Sequence, residues 1–325
     1  MCYSAAVKAD FKAYRRLFPK ARLDLKTFYD TYWRRKTPAK PPMRMSRAME
    51  VWFADPQNDE EHAIKALIEE YNAEQLKLLG EDLFKQRKRL ADAQRVLQTK
   101  QTKKALEDER IATNKIADGL AKLESLRRTD FQESDTRVFP LWYAPVLIIE
   151  NGEAIVRPMR YLCRPQGMPA RVDVDYPGIY NARRNSLRKF WRGQFGHTHG
   201  LAIVSTFWEN VKLHDAEHRE LRADEKPKNI VLQFRPQPHE EMLVACLVSH
   251  WTPPPGSEEP DLWSFAAVTD EPPPEVAAAG HDRCIVPLRP ENVNAWLNPG
   301  HYSLDELDGL LEDKEHPYYE HRLAA

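Results

Sequence analysis

Leu141-Trp142-Tyr143-Ala144-Pro145-Val146-Leu147-Ile148-Ile149, followed by the turn pair Asn151-Gly152, is the stretch whose reading decides the fold. It is strand-length, rich in branched and aromatic side chains, and it ends on turn residues. The same texture recurs at residues 202–208, 230–234, 243–251, 263–269 and 284–288. Pro253-Pro254-Pro255-Gly256 and Pro272-Pro273-Pro274 are stiff loops that keep neighbouring strands apart. The chain from residue 138 onward therefore reads as a mixed, β-rich domain.

Upstream the character changes. Residues 46–128 are charge-rich and poor in Gly and Pro, and Leu76, Leu79, Leu83, Leu90 and Leu97 fall on one helical seam that Ile116, Leu120 and Leu123 resume. This predicts two or more long helices in a hairpin-like arrangement, with Gly80 and the polar stretch 98–104 as breaks. Residues 25–35 read as a short aromatic-rich helix and 37–42 as a proline-marked break. Past Pro299 the chain turns acidic, with one short helix over 303–313 and a loosely held tail. The expected fold class is α+β.

A chain of 325 residues with 42% hydrophobic content has enough material for one large core or two ordinary ones. It contains no apolar run of about 18 residues and no signal-type leader, so a soluble, cytoplasmic protein without a membrane partner is expected. Cys2, Cys163, Cys246 and Cys284 are scattered without a C-x-x-C pair, which argues against a zinc site or a disulfide framework. No metal and no cofactor are expected. The net charge is −1, yet residues 137–200 carry ten Arg/Lys against four Asp/Glu, while 257–325 carry four against fifteen. Arg183, Arg184, Arg188, Lys189 and Arg192 crowd around Phe190 and Trp191, a composition suited to neutralising phosphates and stacking bases. A solvated helix face with two core aromatics is the competing reading.

Cys2 holds the most distinctive chemistry. Removal of Met1 would leave an α-amine and a thiol on one carbon. An aldehyde taken first by the amine as a Schiff base and then by the thiol closes a five-membered thiazolidine, which an internal cysteine cannot form. The amine titrates near ~7.7–8.0 and the thiol near ~8.5, so both are partly reactive at neutral pH. An early cysteine also fits the plainer role of a small buried hydrophobe. What decides between the two lies downstream.

Three patches matter: Ile179-Tyr180-Asn181-Ala182-Arg183-Arg184, Thr206-Phe207-Trp208-Glu209-Asn210, and His281-Asp282-Arg283-Cys284-Ile285-Val286-Pro287-Leu288 with Trp296-Leu297 after it. Together with Met1-Cys2, Tyr143-Ala144-Pro145 and Pro158-Met159-Arg160-Tyr161, in this order, the set resembles the SOS response-associated peptidase (SRAP) family of abasic-site processing proteins. The resemblance covers the first residues and about 138–298. Tyr3 stands where the family usually has Gly, Trp208 and Asn210 where it has Tyr and Trp, and Cys284-Ile285 where it has Met-Pro. None of these departures removes a reacting group. The helical stretch has no counterpart in compact members and reads as an insertion. The expected organisation is an N-terminal catalytic strand over 1–10, a helical insertion over 11–130, a β-rich SRAP-like core over 131–300 that the N-terminal strand completes, and an acidic helix and tail over 301–325.

The resemblance implies covalent capture of abasic sites in single-stranded DNA through a Cys2 thiazolidine, with AP-lyase chemistry branching from the same Schiff base and a peptidase-like self-processing act. In that scheme Glu209, beside Trp208 and Phe207, is the general acid/base that opens the sugar ring, its pKa raised by desolvation. Asn181 holds the α-amine through its carbonyl oxygen without protonating it. His281 donates to the sugar or phosphate and shuttles a proton. Arg183, with Arg184 and Arg160, clamps the flanking phosphates, and Arg188 and Trp191 extend the DNA contact. The helical insertion is expected to hold a protein partner or a second copy. Two rival functions stand beside this one: a thiol peptidase using Cys2 and His281, and a non-catalytic DNA-binding scaffold.

Overall fold

The computed structural model describes residues 3–8, 10–37, 42–222 and 224–324. Two compact units are present, one made of Met1–Pro56 with Gln132–Ala325 and the other of Gln57–Phe131. The fold class is α+β.

In the larger unit the described residues form thirteen strands joined in one sheet. β1 (Ser4–Val7), β2 (Arg22–Leu23) and β3 (Arg44–Met45) precede the smaller unit, and β4 (Arg137–Val138), β5 (Trp142–Glu150), β6 (Glu153–Tyr161), β7 (Asn181–Arg183) and β8 (His199–Lys212) follow it. β9 (Asn229–Gln237), β10 (Met242–Trp251), β11 (Leu262–Asp270), β12 (Cys284–Ile285) and β13 (Tyr318–Leu323) complete the set. Pairing runs β8–β10–β11–β6–β5 and returns to β8 where Leu147 meets Leu201, which closes five strands into a barrel-like ring. The apolar run 141–149 lies almost wholly in β5, which forms an antiparallel hairpin with β6. Asn151 and Gly152 both adopt positive φ, 53° and 78°, as a two-residue hairpin turn requires.

These strands are buried on both faces, which is why their sequences are near-continuous apolar runs rather than alternations. On β5, Ala144, Val146 and Ile148 enter one core together with Val204, Phe207 and Phe265. Leu147 points the other way, into a second core with Leu201, Leu247, Trp296 and Leu307. Trp296 anchors that second core: it is fully buried, donates from Nε1 to the Gly200 carbonyl at 3.0 Å and stacks on His199. A side chain at Gly200 would meet Val248 Cγ2 at 2.7 Å and Val146 Cγ1 at 2.8 Å. Gly200→Ala should therefore destabilise the protein by about 1–3 kcal/mol through overpacking, read as a lowered thermal midpoint.

β8 positions the site. Its first half, up to Val204, pairs with β10 and its second half, from Phe207, pairs with β9. On its other edge β1 is laid antiparallel, with Ser4 opposite Trp208, so the start of the described chain is delivered beside residue 209.

Several boundaries differ from the sequence reading. Residues 11–56 belong to the larger unit, where β2 pairs in parallel with β6 and β3 with β5, so the helical unit starts at Gln57 rather than at residue 11. The tail is a strand: β13 pairs with β9 along its six residues and buries Tyr319 against Phe207. The apolar run 284–288 yields only two strand residues, because its continuation makes isolated bridges from Pro287 and Leu288.

The smaller unit is a hairpin of two helices, Asp59–Leu97 and Lys103–Arg127. Asn58 and Thr102 cap their starts, each side chain accepting from the backbone amide three residues on. Gly80 does not break the first helix, which runs through it. Gly119 allows the close crossing, since a Cβ there would lie 2.8 Å from Leu83 Cδ2. Leu83 is buried as the seam predicts, whereas Leu120 is exposed, so the second helix turns a different face inward.

Candidate active site

Along β8 side chains alternate, and Glu209 falls on the same face as Phe207 and Val211, both core residues. Its carboxyl is fully buried. Burial among apolar groups pushes its pKa well above the usual carboxylate value, a donated hydrogen bond from the Tyr3 amide opposing this only in part. Tyr3 N lies 3.2 Å from Glu209 Oε2 and 3.0 Å from the Trp208 carbonyl. The amide nitrogen of Tyr3 is the one bonded to the carbonyl carbon of Cys2, and Cys2 itself lies outside the described residues.

His281 approaches the same oxygen, with Nε2 at 3.3 Å from Glu209 Oε2. Its ring is buried, which lowers its pKa to about 4. Nδ1 sits 2.7 Å from the Arg283 carbonyl, an acceptor, so the ring proton belongs on Nδ1 and Nε2 presents a lone pair. Burial favours the acid form of Glu209 and the neutral form of His281, which favours a hydrogen bond from carboxylic acid to imidazole over an ion pair. That arrangement holds one transferable proton in a buried setting beside β1.

Asn181 opens β7 and is buried, and neither its side-chain oxygen nor its nitrogen has a hydrogen-bond partner among the described residues. Buried amides are nearly always satisfied, so an amide in this state marks a polar group held ready for something else. It sits opposite Ala267 on β11, and the same strand pairs Asp270 with Cys284, three residues past His281. Sheet register thus carries Asn181 and His281 on elements that flank β11.

The arginines divide. Arg160 grips Asp173 through two nitrogens at 2.8 and 3.0 Å and also donates to the Leu162 carbonyl, with Arg164 completing the cluster. Arg184 reaches Asp308 at 3.0 Å, Asp270 at 3.2 Å and Glu312 at 2.5 Å, and Arg188 reaches Asp305. The acidic C-terminal helix Leu304–Glu312 therefore neutralises part of the basic segment that the sequence set apart for DNA. Trp191 is 2% exposed within the second core and meets Phe190 edge to face, so it offers no face to a base. Arg183, Lys189 and Arg192 have no carboxylate partner among the described residues and keep their charge available. Arg184→Ala should cost about 1.5–3 kcal/mol of stability by thermal unfolding, since charged hydrogen bonds are lost; an unchanged midpoint would mean that Arg184 is not structural.

Two contributors escaped the sequence reading. One is the Tyr3 amide, whose role depends on the β1–β8 register. The other is Arg137, whose guanidinium lies 4.2 Å from the Trp208 ring centroid and 4.8 Å from that of Phe139 and donates to Ser4 Oγ at 3.0 Å. As the first cation of the basic window 137–200 it was within reach, but nothing local set it apart from the other nine.

Among the described residues no group of three His, Cys, Asp or Glu side chains could hold a metal ion, and no helix is long and apolar enough to cross a membrane. Solved structures similar to this chain include a protein from Bacteroides thetaiotaomicron, 14% identical, covering 58% of this chain and 77% of that one with a TM-score of 0.45. A phage-related protein from Bordetella bronchiseptica is 16% identical over 58% of this chain and 80% of that one, TM-score 0.42. A further Bordetella bronchiseptica protein is 14% identical over 58% and 87%, TM-score 0.44. No curated protein matches. Residues 95–323, well over half of the sequence, match the family model for SOS response associated peptidase (SRAP). The chain belongs to the SRAP family.

Proposed function

We propose that this protein captures abasic sites in single-stranded DNA as a covalent Cys2 thiazolidine, acting in the cytoplasm as part of the response to DNA damage. The observation that carries the reading is the buried Glu209 acid, held between His281 Nε2 at 3.3 Å and the Tyr3 amide at 3.2 Å. That amide closes the peptide bond from Cys2, so covalent geometry tethers the Cys2 α-carbon to within ~2.5 Å of Tyr3 N. Family membership supports the DNA-damage setting.

The chemistry follows from these groups. Glu209 gives its proton to the ring oxygen of the closed abasic sugar as the C1–oxygen bond breaks, and the aldehyde forms when the C1 hydroxyl proton departs. The α-amine adds to the aldehyde carbon, water leaves, and the Cys2 thiol adds across the resulting C=N bond. One water is released and no oxidant or reductant is needed. His281 Nε2 is the base placed to hold the Glu209 proton in transit. Asn181, whose side chain has no hydrogen-bond partner among the described residues, orients the amine without stabilising its ammonium form. Loss of a proton from the carbon next to the imine, before the thiol closes the ring, forms a C=C bond as the adjacent C3–oxygen bond breaks and the 3′ phosphate leaves, which gives the lyase branch.

A denaturing gel of the purified protein with an oligonucleotide carrying one abasic site is the test. A covalent band that needs both the lesion and a single strand is expected. Absence of any band from the wild-type protein would overturn the proposal and leave the thiol peptidase or the scaffold.

A further inference from the structure

We propose that the turn end of the helical hairpin is a second nucleic-acid contact, separate from the lesion site and fitted to the backbone and bases of undamaged single-stranded DNA. Charge within the hairpin is polarised. Residues 59–82 carry two Lys/Arg against eight Asp/Glu, whereas 85–104 carry eight against one. At ~1.5 Å rise per residue, the basic part of the first helix spans the last ~18 Å before the turn.

The carboxylates nearest to these cations are already spent. Asp108 accepts from Arg89 at 3.0 Å, Glu107 pairs with Arg110 at 2.7 Å, and Asp92 pairs with Arg95 at 3.3 Å. Lys85, Arg87, Lys88, Lys100, Lys103 and Lys104 are exposed and have no carboxylate partner among the described residues. Lys103 and Lys104 also occupy the first turn of their helix, which carries no acidic residue, where the backbone dipole disfavours cations. They therefore do not serve helix stability.

An aromatic completes the surface. Phe84 is 73% exposed, more than any other aromatic among the described residues, and Arg87 and Lys88 follow it by three and four residues on the same face. A ring flanked by two cations is the pairing that single-stranded nucleic acid uses, bases stacking on the ring while phosphates meet the cations. An acidic protein partner would match the charge but would gain nothing from an isolated exposed ring, and an anionic membrane would ask for a broader apolar stripe.

The test uses the full-length protein and a fluorescein-labelled single-stranded oligonucleotide without a lesion, so that reversible binding is read by anisotropy and no crosslink can form. Replacing Arg87, Lys88, Lys100, Lys103 and Lys104 by Gln should flatten the slope of log affinity against log salt by about 0.7 for each phosphate no longer neutralised, about 3.5 if all five cations engage. Phe84→Ala should reduce the preference for single over double strands while leaving the salt slope intact. Far-UV circular dichroism checks that helix content is unchanged. A slope that changes by less than about 0.7 in the five-fold variant, the value of a single phosphate, overturns the proposal. So does loss of binding to phosphatidylserine vesicles, rather than to DNA, in that variant. Failure of the covalent capture reading would appear separately, as a missing band from the wild-type protein on lesion-bearing DNA, while the slope still fell.

Discussion

Cys2→Ala should abolish the stable crosslink to abasic DNA, and the loss should be complete rather than graded. The alanine variant keeps an α-amine, so it can still form a Schiff base, which borohydride reduction would trap. Without a thiol on the neighbouring carbon the imine has nothing to close it and hydrolyses. Two bands separate the outcomes: one present only with borohydride, expected for the variant, and one that survives without it, expected for wild type. An untreated, heat-stable band from Cys2→Ala would remove the thiazolidine from the mechanism. An uncleavable residue placed before Cys2 should be equally damaging, because the amine would then no longer share a carbon with the thiol. A thiol peptidase would keep its peptide-bond activity in that extended protein, since it needs only the sulfur. The two assays together assign the role of the amine.

How much of this was legible in the sequence depended on whether the signal was local. The β5–β6 hairpin was, because Asn151-Gly152 fixes its turn and an unbroken apolar run fixes its burial. The helices Leu25–Arg35 and Leu304–Glu312 were, because Asp24 and Ser303 cap them and their apolar residues keep a helical period. What failed was non-local. β13 looked like a charged tail because only Tyr319 of its residues is buried, and its pairing with β9 leaves no trace in its own composition. β2 and β3 are two-residue strands within proline- and lysine-bearing segments, too short to carry a period. The charge reading failed for the same reason. The basic window and the acidic C-terminal segment were noticed as separate features, while the fold makes Arg184 and Arg188 the partners of Asp308 and Asp305. Trp191 was set beside cations in sequence and is a core residue in space. Glu209 and His281 were marked as candidates 72 positions apart. That they touch rests on the return of the chain into β12, which pairs with β11, and no residue-level pattern predicts that contact.

Glu209→Gln should slow crosslink formation by about 10²-fold or more while leaving the fold intact or more stable at neutral pH, and that opposition separates catalysis from structure. The amide is isosteric, but both contacts fall on Oε2, so glutamine keeps one of them: with its oxygen there it accepts from the Tyr3 amide, and with its NH2 there it donates to His281 Nε2. The transferable proton is lost in either orientation, and the one forfeited hydrogen bond costs about 0.5–1.5 kcal/mol. The stability side follows from the pKa shift. Glu209 is raised far above its ordinary value of 4.5 by burial, so its folded form keeps the proton that the unfolded chain gives up. Its contribution to stability is complete below pH 4.5 and is lost as the pH rises toward the folded pKa, by at most about 1.4 kcal/mol per pH unit. Glutamine does not titrate, so the variant should resist urea better than wild type at pH 7 and no better at pH 4. His281 acts in the opposite window. Lowered to about 4 from 6.5, it weakens the fold as the pH drops from 6.5 toward 4, in wild type and variant alike, so the difference between the two proteins isolates Glu209. Measurement is by urea titration across pH 4 to 8 beside single-turnover crosslinking. A variant that crosslinks at the wild-type rate would take Glu209 out of the chemistry, and one destabilised at pH 7 would make it a structural acid whose loss of activity reflects a damaged site.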